Sequence, residues 1–281
     1  MKTWKKIVLG VSLISLFLGV GLVAWGYSQG GLTDLQNQTK SEQDYVKKEV
    51  KDFNKIDIKS SSYNVLIKNG DVNKATLSYY QKTKNPIDTS VKDGKLTIND
   101  NNSELDSTSN KHINFFGLKD LVRLSTLNEE VRNKTIVITL PKKQTIDFLK
   151  VDLATGNLDL SNSTIKQADI NLNVGDLTFT KMIVSNLKAN LDVGSVDSDH
   201  TLFTNSDLSI AMGDYSGDNL IFNGHNKLDV TSGNIELALK DYTLNVQADS
   251  HSGEVDITNN LKISKDNTLT ITSDLGDITI E

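Results

Sequence analysis

The sequence predicts an all-β solenoid of about seven coils, each of ~19–20 residues, behind one N-terminal transmembrane helix. Three observations carry this expectation. An uncharged run fills residues 7–27, a period-two alternation begins at Lys55, and one short motif recurs at seven glycines between Gly156 and Gly276.

The N-terminal run comes first in the chain. Lys2, Lys5 and Lys6 precede it, and the 21 residues from Ile7 to Tyr27 carry no charge. At about 1.5 Å per residue they span roughly 30 Å, the thickness of a bilayer's hydrocarbon core. Trp4 stands at one end and Trp25 and Tyr27 at the other, where amphipathic rings favour the interfaces. Lysines before the run and none directly after it orient the N-terminus to the cytoplasm and residues 28–281 outside, the topology of a single-pass cell-membrane protein. A cleaved signal peptide is the rival reading. Its best site, Ala24-Trp25-Gly26, holds a bulky ring, and the run is long for a signal sequence, which favours an uncleaved anchor. Either reading exports the remainder.

Gly30-Gly31 marks a joint. Residues 28–52 read as a stalk, helical or flexible, with Leu32, Leu35, Val46, Val50 and Phe53 at loosely helical spacing. Residues 53–149 read as a strand-rich base. Ile56 and Ile58, then Tyr63, Val65 and Ile67, then Leu96 and Ile98, then Ile136, Ile138 and Leu140 alternate with polar residues, as half-buried strands require. A polar and then apolar insertion at 100–133 interrupts this pattern. Within it Phe115, Phe116 and Leu118 are the partner-binding candidates: either the insertion caps the open end of the core, or these residues form an exposed apolar tip that touches lipid or protein.

Residues 150–281 hold the repeat. Leu153-Ala154-Thr155-Gly156-Asn157-Leu158 returns as Leu172-Asn173-Val174-Gly175-Asp176-Leu177, and further copies centre on Gly194, Gly213, Gly233, Gly253 and Gly276. Two positions after each glycine stands an apolar residue or Tyr215. A period near 19 is too short for a pair of helices. It suits a coil of two or three short strands, whose apolar residues are buried only when coils stack as ladders about 4.8 Å apart. A sandwich of regular hairpins is the alternative, and sandwiches seldom repeat one motif so often. The final coil, Ile278-Thr279-Ile280-Glu281, is followed by no capping sequence and is expected to be an exposed edge strand.

Composition bounds the chemistry. The 281 residues contain no cysteine, so there is no disulfide scaffold, thiolate nucleophile or cysteine-ligated zinc. A net charge of -6 argues against general nucleic-acid binding. The charge is divided unevenly: residues 28–149 hold 19 basic and 16 acidic side chains, and residues 150–281 hold 8 basic and 20 acidic. The acidic part repels anionic lipid and suits a cationic peptide or a basic protein face, although acidity also keeps a strand-rich rod soluble.

Strand patterns and motif order together resemble a known family. Phe53-Asn54-Lys55-Ile56-Asp57-Ile58, the strand from Tyr63 to Lys68, Ile136-Val137-Ile138-Thr139-Leu140-Pro141 and Val151-Asp152-Leu153-Ala154-Thr155-Gly156-Asn157-Leu158 resemble the toast-rack type of adhesin domain of unknown function, as in Lia-type bacterial envelope-stress proteins. The resemblance covers residues 53–281. It implies a right-handed β-solenoid outside the membrane of a low-GC Gram-positive bacterium, with a role in envelope stress or surface interaction, and it brings no catalytic residues.

Enzyme motifs are absent. No phosphate loop, serine elbow or His-Glu-x-x-His occurs, and residues 150–281 contain no arginine to neutralise a polyuronate. Both tryptophans lie in the N-terminal segment, leaving no tryptophan sugar platform. His112, His200, His225 and His251 sit at different offsets from the repeat glycine and are expected to be surface residues. Asp197, Asp199, Asp207, Asp214 and Asp218 offer oxygens to calcium, but the glycine-rich nonapeptide of calcium-binding β-rolls is missing. No cofactor, metal or catalytic residue is therefore expected. The favoured expectation is a non-enzymatic interaction or sensing module of the envelope. The alternatives are a surface adhesin or structural rod that binds wall polymer or a host surface, and a carbohydrate-active enzyme.

Overall fold

The computed structural model describes residues 43–82, 86–100, 134–258 and 260–281. The anchor at 7–27 and the candidates Phe115, Phe116 and Leu118 lie outside these residues. Among the described residues every regular element is a strand, and no helix is long and apolar enough to cross a membrane.

Each coil is a three-sided turn. Its period-two alternation places every second side chain inward, as in Phe148–Leu153, where Leu149, Val151 and Leu153 are buried and Phe148, Lys150 and Asp152 face out. The chain turns at Gly156, runs along a first face as Leu158–Ser161, and turns again at Asn162, whose φ of 52° suits a short amide side chain. It then crosses a short second face as Thr164–Ile165 and returns to a third face as Ala168–Val174. The next coil lies parallel and in register, with Leu158 beside Leu177, Ile165 beside Val184 and Ile170 beside Ala189. Stacking buries the apolar ladders that no single coil covers. On the second face Phe203 meets Phe179 edge-on at 5.3 Å and stacks with Phe222 at 5.7 Å. Where Ser198 and Gly217 leave room in the ladder, the Tyr215 ring fills it and its hydroxyl donates to Ser198 Oγ at 3.0 Å.

The glycine corner is held by two rails. Backbone N–H groups of Gly156, Gly175, Gly194, Gly213, Gly233 and Gly276 each donate to a carbonyl of the adjoining coil at 2.9–3.0 Å. Beside them a side-chain rail passes from coil to coil. Asn64 Oδ1 accepts from Asn157 N, Asn157 Oδ1 from Asp176 N, and Asp176 Oδ1 from Ser195 N, each at 2.9–3.0 Å. It continues through Asp214, Asn234 and Asp277 to Glu254 N. The turn-forming Asn and Asp after the glycine thus satisfy backbone donors of the neighbouring coil.

Spatial order departs from chain order at both ends. Thr268–Leu275 lies between His225–Ser232 and Asn245–Ser252, and Ile278–Ile280 lies between Ile235–Leu239 and Val255–Ile257. The C-terminal strand is therefore interior, with Ile278 and Ile280 at 0% and 1% exposure, and not the open edge that its place in the sequence suggests. The reason is apolar content. Leu269, Ile271, Ile278 and Ile280 gain from cover on both sides, whereas the coil at 245–257 is weaker (Val246, Ala248, Val255, Ile257) and turns Gln247, Asp249, His251 and Asp256 to solvent.

A similar inversion occurs at the other end. Lys55–Ser60 sits between Lys95–Asn99 and Phe148–Leu153, and Asn64–Gly70 between Thr135–Pro141 and Leu158–Ser161. The sheets run without a break across residue 150, so strands of the expected base form coils of the same stack. The expected helical or flexible stalk differs as well. Gln43–Glu49 is a strand next to Thr76–Lys82, with Tyr45 and Tyr80 rings 4.9 Å apart. Val50 and Phe53, read as part of a helical stripe, are buried against the core.

Candidate interaction surface

Outward positions on the first face form a ladder that chain order conceals. Register pairs Asp159 with Thr178, Thr178 with Asp197, Asp197 with Ser216, Ser216 with Glu236, Glu236 with Thr279, and Thr279 with Asp256. In this column acid and hydroxyl therefore alternate from Asp159 to Asp256, with acids about 9.6 Å apart at about 4.8 Å per coil, whereas in the neighbouring outward column Asp199 stands directly beside Asp218. Read by residue number, Glu236 is followed by Asp256 and then Thr279, and the alternation fails. The interior placement of Ile278–Ile280 restores it. Directly opposed like charges destabilise a sheet, and the intervening hydroxyls separate them.

This face lacks internal neutralisation. No lysine stands at an outward position on its strands between Leu158 and Ile257, and among the described residues none of the four ladder acids is paired with a cation; in the neighbouring column Asp199 Oδ1 lies 2.6 Å from His200 Nδ1. The third face is different. There Lys95 pairs with Asp57, Lys150 with Asp152, and Lys227 with Asp229. The half-buried Asp159 shows what it costs to hold an unpaired charge here. Burial, opposed by a hydrogen bond from Thr178 and reinforced by nearby Asp176, holds its carboxyl above the usual value of 3.8. A raised carboxyl pKa in the folded state makes the charged form a liability, so stability falls as pH rises through it. Asp159→Asn is expected to raise the melting temperature at pH 7, and the gain fades below about pH 3.8. Melting curves from pH 3 to 8 check this, and a gain independent of pH contradicts it.

One group among the described residues has metal-ligand geometry. Asp199, His200 and Asp218 place one ligand atom each within 4.8 Å of one another at the turn leaving the first face. Here His200 takes a φ of 49° and its N–H donates to the Asp218 carbonyl at 3.0 Å. Of the five aspartates considered for calcium only Asp199 and Asp218 meet; Asp197 lies on the open ladder, Asp207 begins a third-face strand and Asp214 belongs to the corner rail. His200 was not legible as a partner of Asp218, because stacking and not sequence proximity joins them. His225 instead approaches Thr268 Oγ1 at 3.0 Å.

A groove of about 470 Å³ opens beside the corner near Ser60 and Ala154. At its wall the buried Asp100 carboxylate accepts from Ser60 Oγ at 3.2 Å, Ser61 Oγ at 3.0 Å and Ser61 N at 3.3 Å. These bonds hold the start of the outer coils in place. Nothing in the sequence pointed to Asp100 beyond its position at the mouth of the insertion.

Solved structures that align include a "putative cell adhesion protein" from Clostridium sporogenes (17% identity, TM-score 0.35, covering 85% of this chain and 98% of that one). Another is a "putative adhesin" from Bacteroides fragilis (16%, 0.39, 85% and 97%), and a third is a "putative adhesin" from Parabacteroides merdae (14%, 0.27, 85% and 95%). No functionally curated protein matches the chain. The family model that matches is Toastrack DUF4097, over residues 53–281, which takes in the whole coil stack. The chain belongs to the Toastrack DUF4097 family, as its strand order and repeated glycine turn lead one to expect.

Proposed function

We propose that this protein is a non-enzymatic, membrane-anchored module of the bacterial cell envelope, whose right-handed coil stack receives a cationic peptide or a basic protein face as part of envelope-stress sensing. The uncharged run at 7–27 supports the anchor and its outward topology. The observation that carries the reading is the alternating acid–hydroxyl ladder without neutralising lysines. Carboxylates at regular spacing on a flat sheet attract cations over several ångströms and keep their charge available for a partner. Adhesion to wall polymer is the second reading, and an anionic polymer is repelled by this face.

The full chain in zwitterionic nanodiscs is expected to bind a lysine-rich peptide, with affinity falling steeply between about 50 and 200 mM salt as screening shortens. Binding of purified anionic wall polymer in place of the peptide contradicts the reading. Release of sugar fragments from wall polysaccharide by the same preparation contradicts its non-enzymatic part.

A further inference from the structure

The residue before each corner glycine forms a column of its own. By register Val174 lies beside Val193, Val193 beside Met212, Met212 beside Ser232, and Ser232 beside Leu275. Val174, Val193, Met212 and Leu275 are 41%, 39%, 56% and 55% exposed. Three consecutive apolar side chains therefore line roughly 10 Å of the corner, and Leu275 lies two coils further on.

The fold does not ask for apolar residues there. Thr155, Ser232 and Ser252 occupy the same station, and the N–H of the following glycine at Gly156 and Gly233 bonds to the next coil just as elsewhere. Nor do these side chains fill the interior, which Leu172, Leu191 and Ile210, two residues earlier, already close. Exposed apolar residues in a row mark a contact surface more often than a decoration of the fold.

Carboxylates bracket the ridge. Asp192 and Asp274 stand exposed on its third-face side, and Asp176, Asp214 and Asp277 on its other side, two residues past the apolar position. Beyond them, four residues from the ridge, runs the acid–hydroxyl ladder. A polycation with no apolar side satisfies the carboxylates and leaves the ridge in water. A membrane satisfies the ridge, but its anionic headgroups meet carboxylates on both flanks.

We infer that the ridge Val174–Val193–Met212–Leu275 and its flanking carboxylates form a docking strip for a cationic amphipathic peptide segment, with apolar side chains on the ridge and basic ones on the flanks. This rests on the reading that the acidic face receives a cationic partner, and adds what distinguishes one cationic partner from another. The ridge selects for amphipathic order and the ladder supplies charge.

The test uses the full chain in phosphatidylcholine nanodiscs, with empty discs as reference. The probes are two fluorescent 18-residue peptides of identical lysine and leucine composition, one with leucines gathered on one face and one scrambled. The expected result is about tenfold tighter binding of the ordered peptide, the scale of burying one or two apolar anchors. The combined variant Val174→Thr, Val193→Thr, Met212→Gln and Leu275→Gln is expected to remove that preference and leave the affinity for the scrambled peptide unchanged. An unchanged melting temperature shows that the stack is intact. If both peptides bind wild type equally, or the preference survives in the variant, the docking strip is overturned while the cationic reading stands. If neither peptide binds, both fall.

Discussion

Gly194→Ala is expected to destabilise the protein by about 3 kcal/mol or more, the scale of a forced backbone clash in an unfavourable conformation. The glycine has a φ of 149°, and a β-carbon there meets the Gly175 carbonyl oxygen at 1.9 Å. Neither atom has room to yield. The Gly175 carbonyl belongs to a corner whose backbone is bonded on both sides, and the neighbouring coil lies at strand spacing. Retreat of one coil also breaks the side-chain rail from Asp176 to Ser195 N. The exposed substitution Val193→Thr, one residue away, is expected to change stability by less than about 0.5 kcal/mol. Urea unfolding of the two variants, followed by far-ultraviolet circular dichroism, makes the comparison. Equal effects from both contradict the packed corner.

Ile278→Ala provides the second large effect, at about 2–4 kcal/mol, the usual range for emptying a fully buried aliphatic position. Its value lies in comparison with Ile210→Ala, in the middle of the stack, and Ile257→Ala, in the outermost coil. Ile278 and Ile210 are both at 0% exposure, whereas Ile257 is only partly buried. Similar losses for the first two and a smaller loss for Ile257 are expected, although Ile257 lies earlier in the chain. A chain whose coils stack in simple sequence order gives the reverse, with Ile278 the cheapest of the three.

Those comparisons bear on what the sequence made legible. Inward positions were readable in most coils: the alternation at Ile136, Ile138 and Leu140 and the residue two past every repeat glycine but Gly253 mark the core, because burial imposes one pattern on the stacked coils, while Val255 in the outermost coil is exposed. The Asn or Asp after the glycine was legible as a turn former, and the structure adds its bond to the adjoining coil. Order along the rod was not legible. Nothing local in Ile278-Thr279-Ile280 says which coils it will lie between, since pairing is decided by long-range competition for apolar cover. The acid–hydroxyl ladder depends on that order and was hidden with it. Only the size of the acidic excess in residues 150–281 pointed toward it. The ridge was within reach, because Val174, Val193, Met212 and Leu275 precede repeat glycines, but the sequence does not show that the corner leaves this station outside the core. The helical spacing of Val46, Val50 and Phe53 misled because a strand followed by a turn can bury the same residues against a sheet edge.

Charge on the first face is the centre of the functional account, and it is testable without a known partner. Two triple variants remove the same number of acidic groups: Asp197→Asn, Glu236→Gln and Asp256→Asn from the ladder, and Asp152→Asn, Asp169→Asn and Asp229→Asn from the third face, where Lys150 and Lys227 already neutralise part of the charge. The decisive measurement is the affinity of the lysine-rich peptide for each full-length variant at one ionic strength. At least about a tenfold loss is expected for the ladder variant and less than about twofold for the third-face variant. Equal losses from the two variants mean that total charge alone draws the peptide, and contradict the claim that the ladder is the interaction surface.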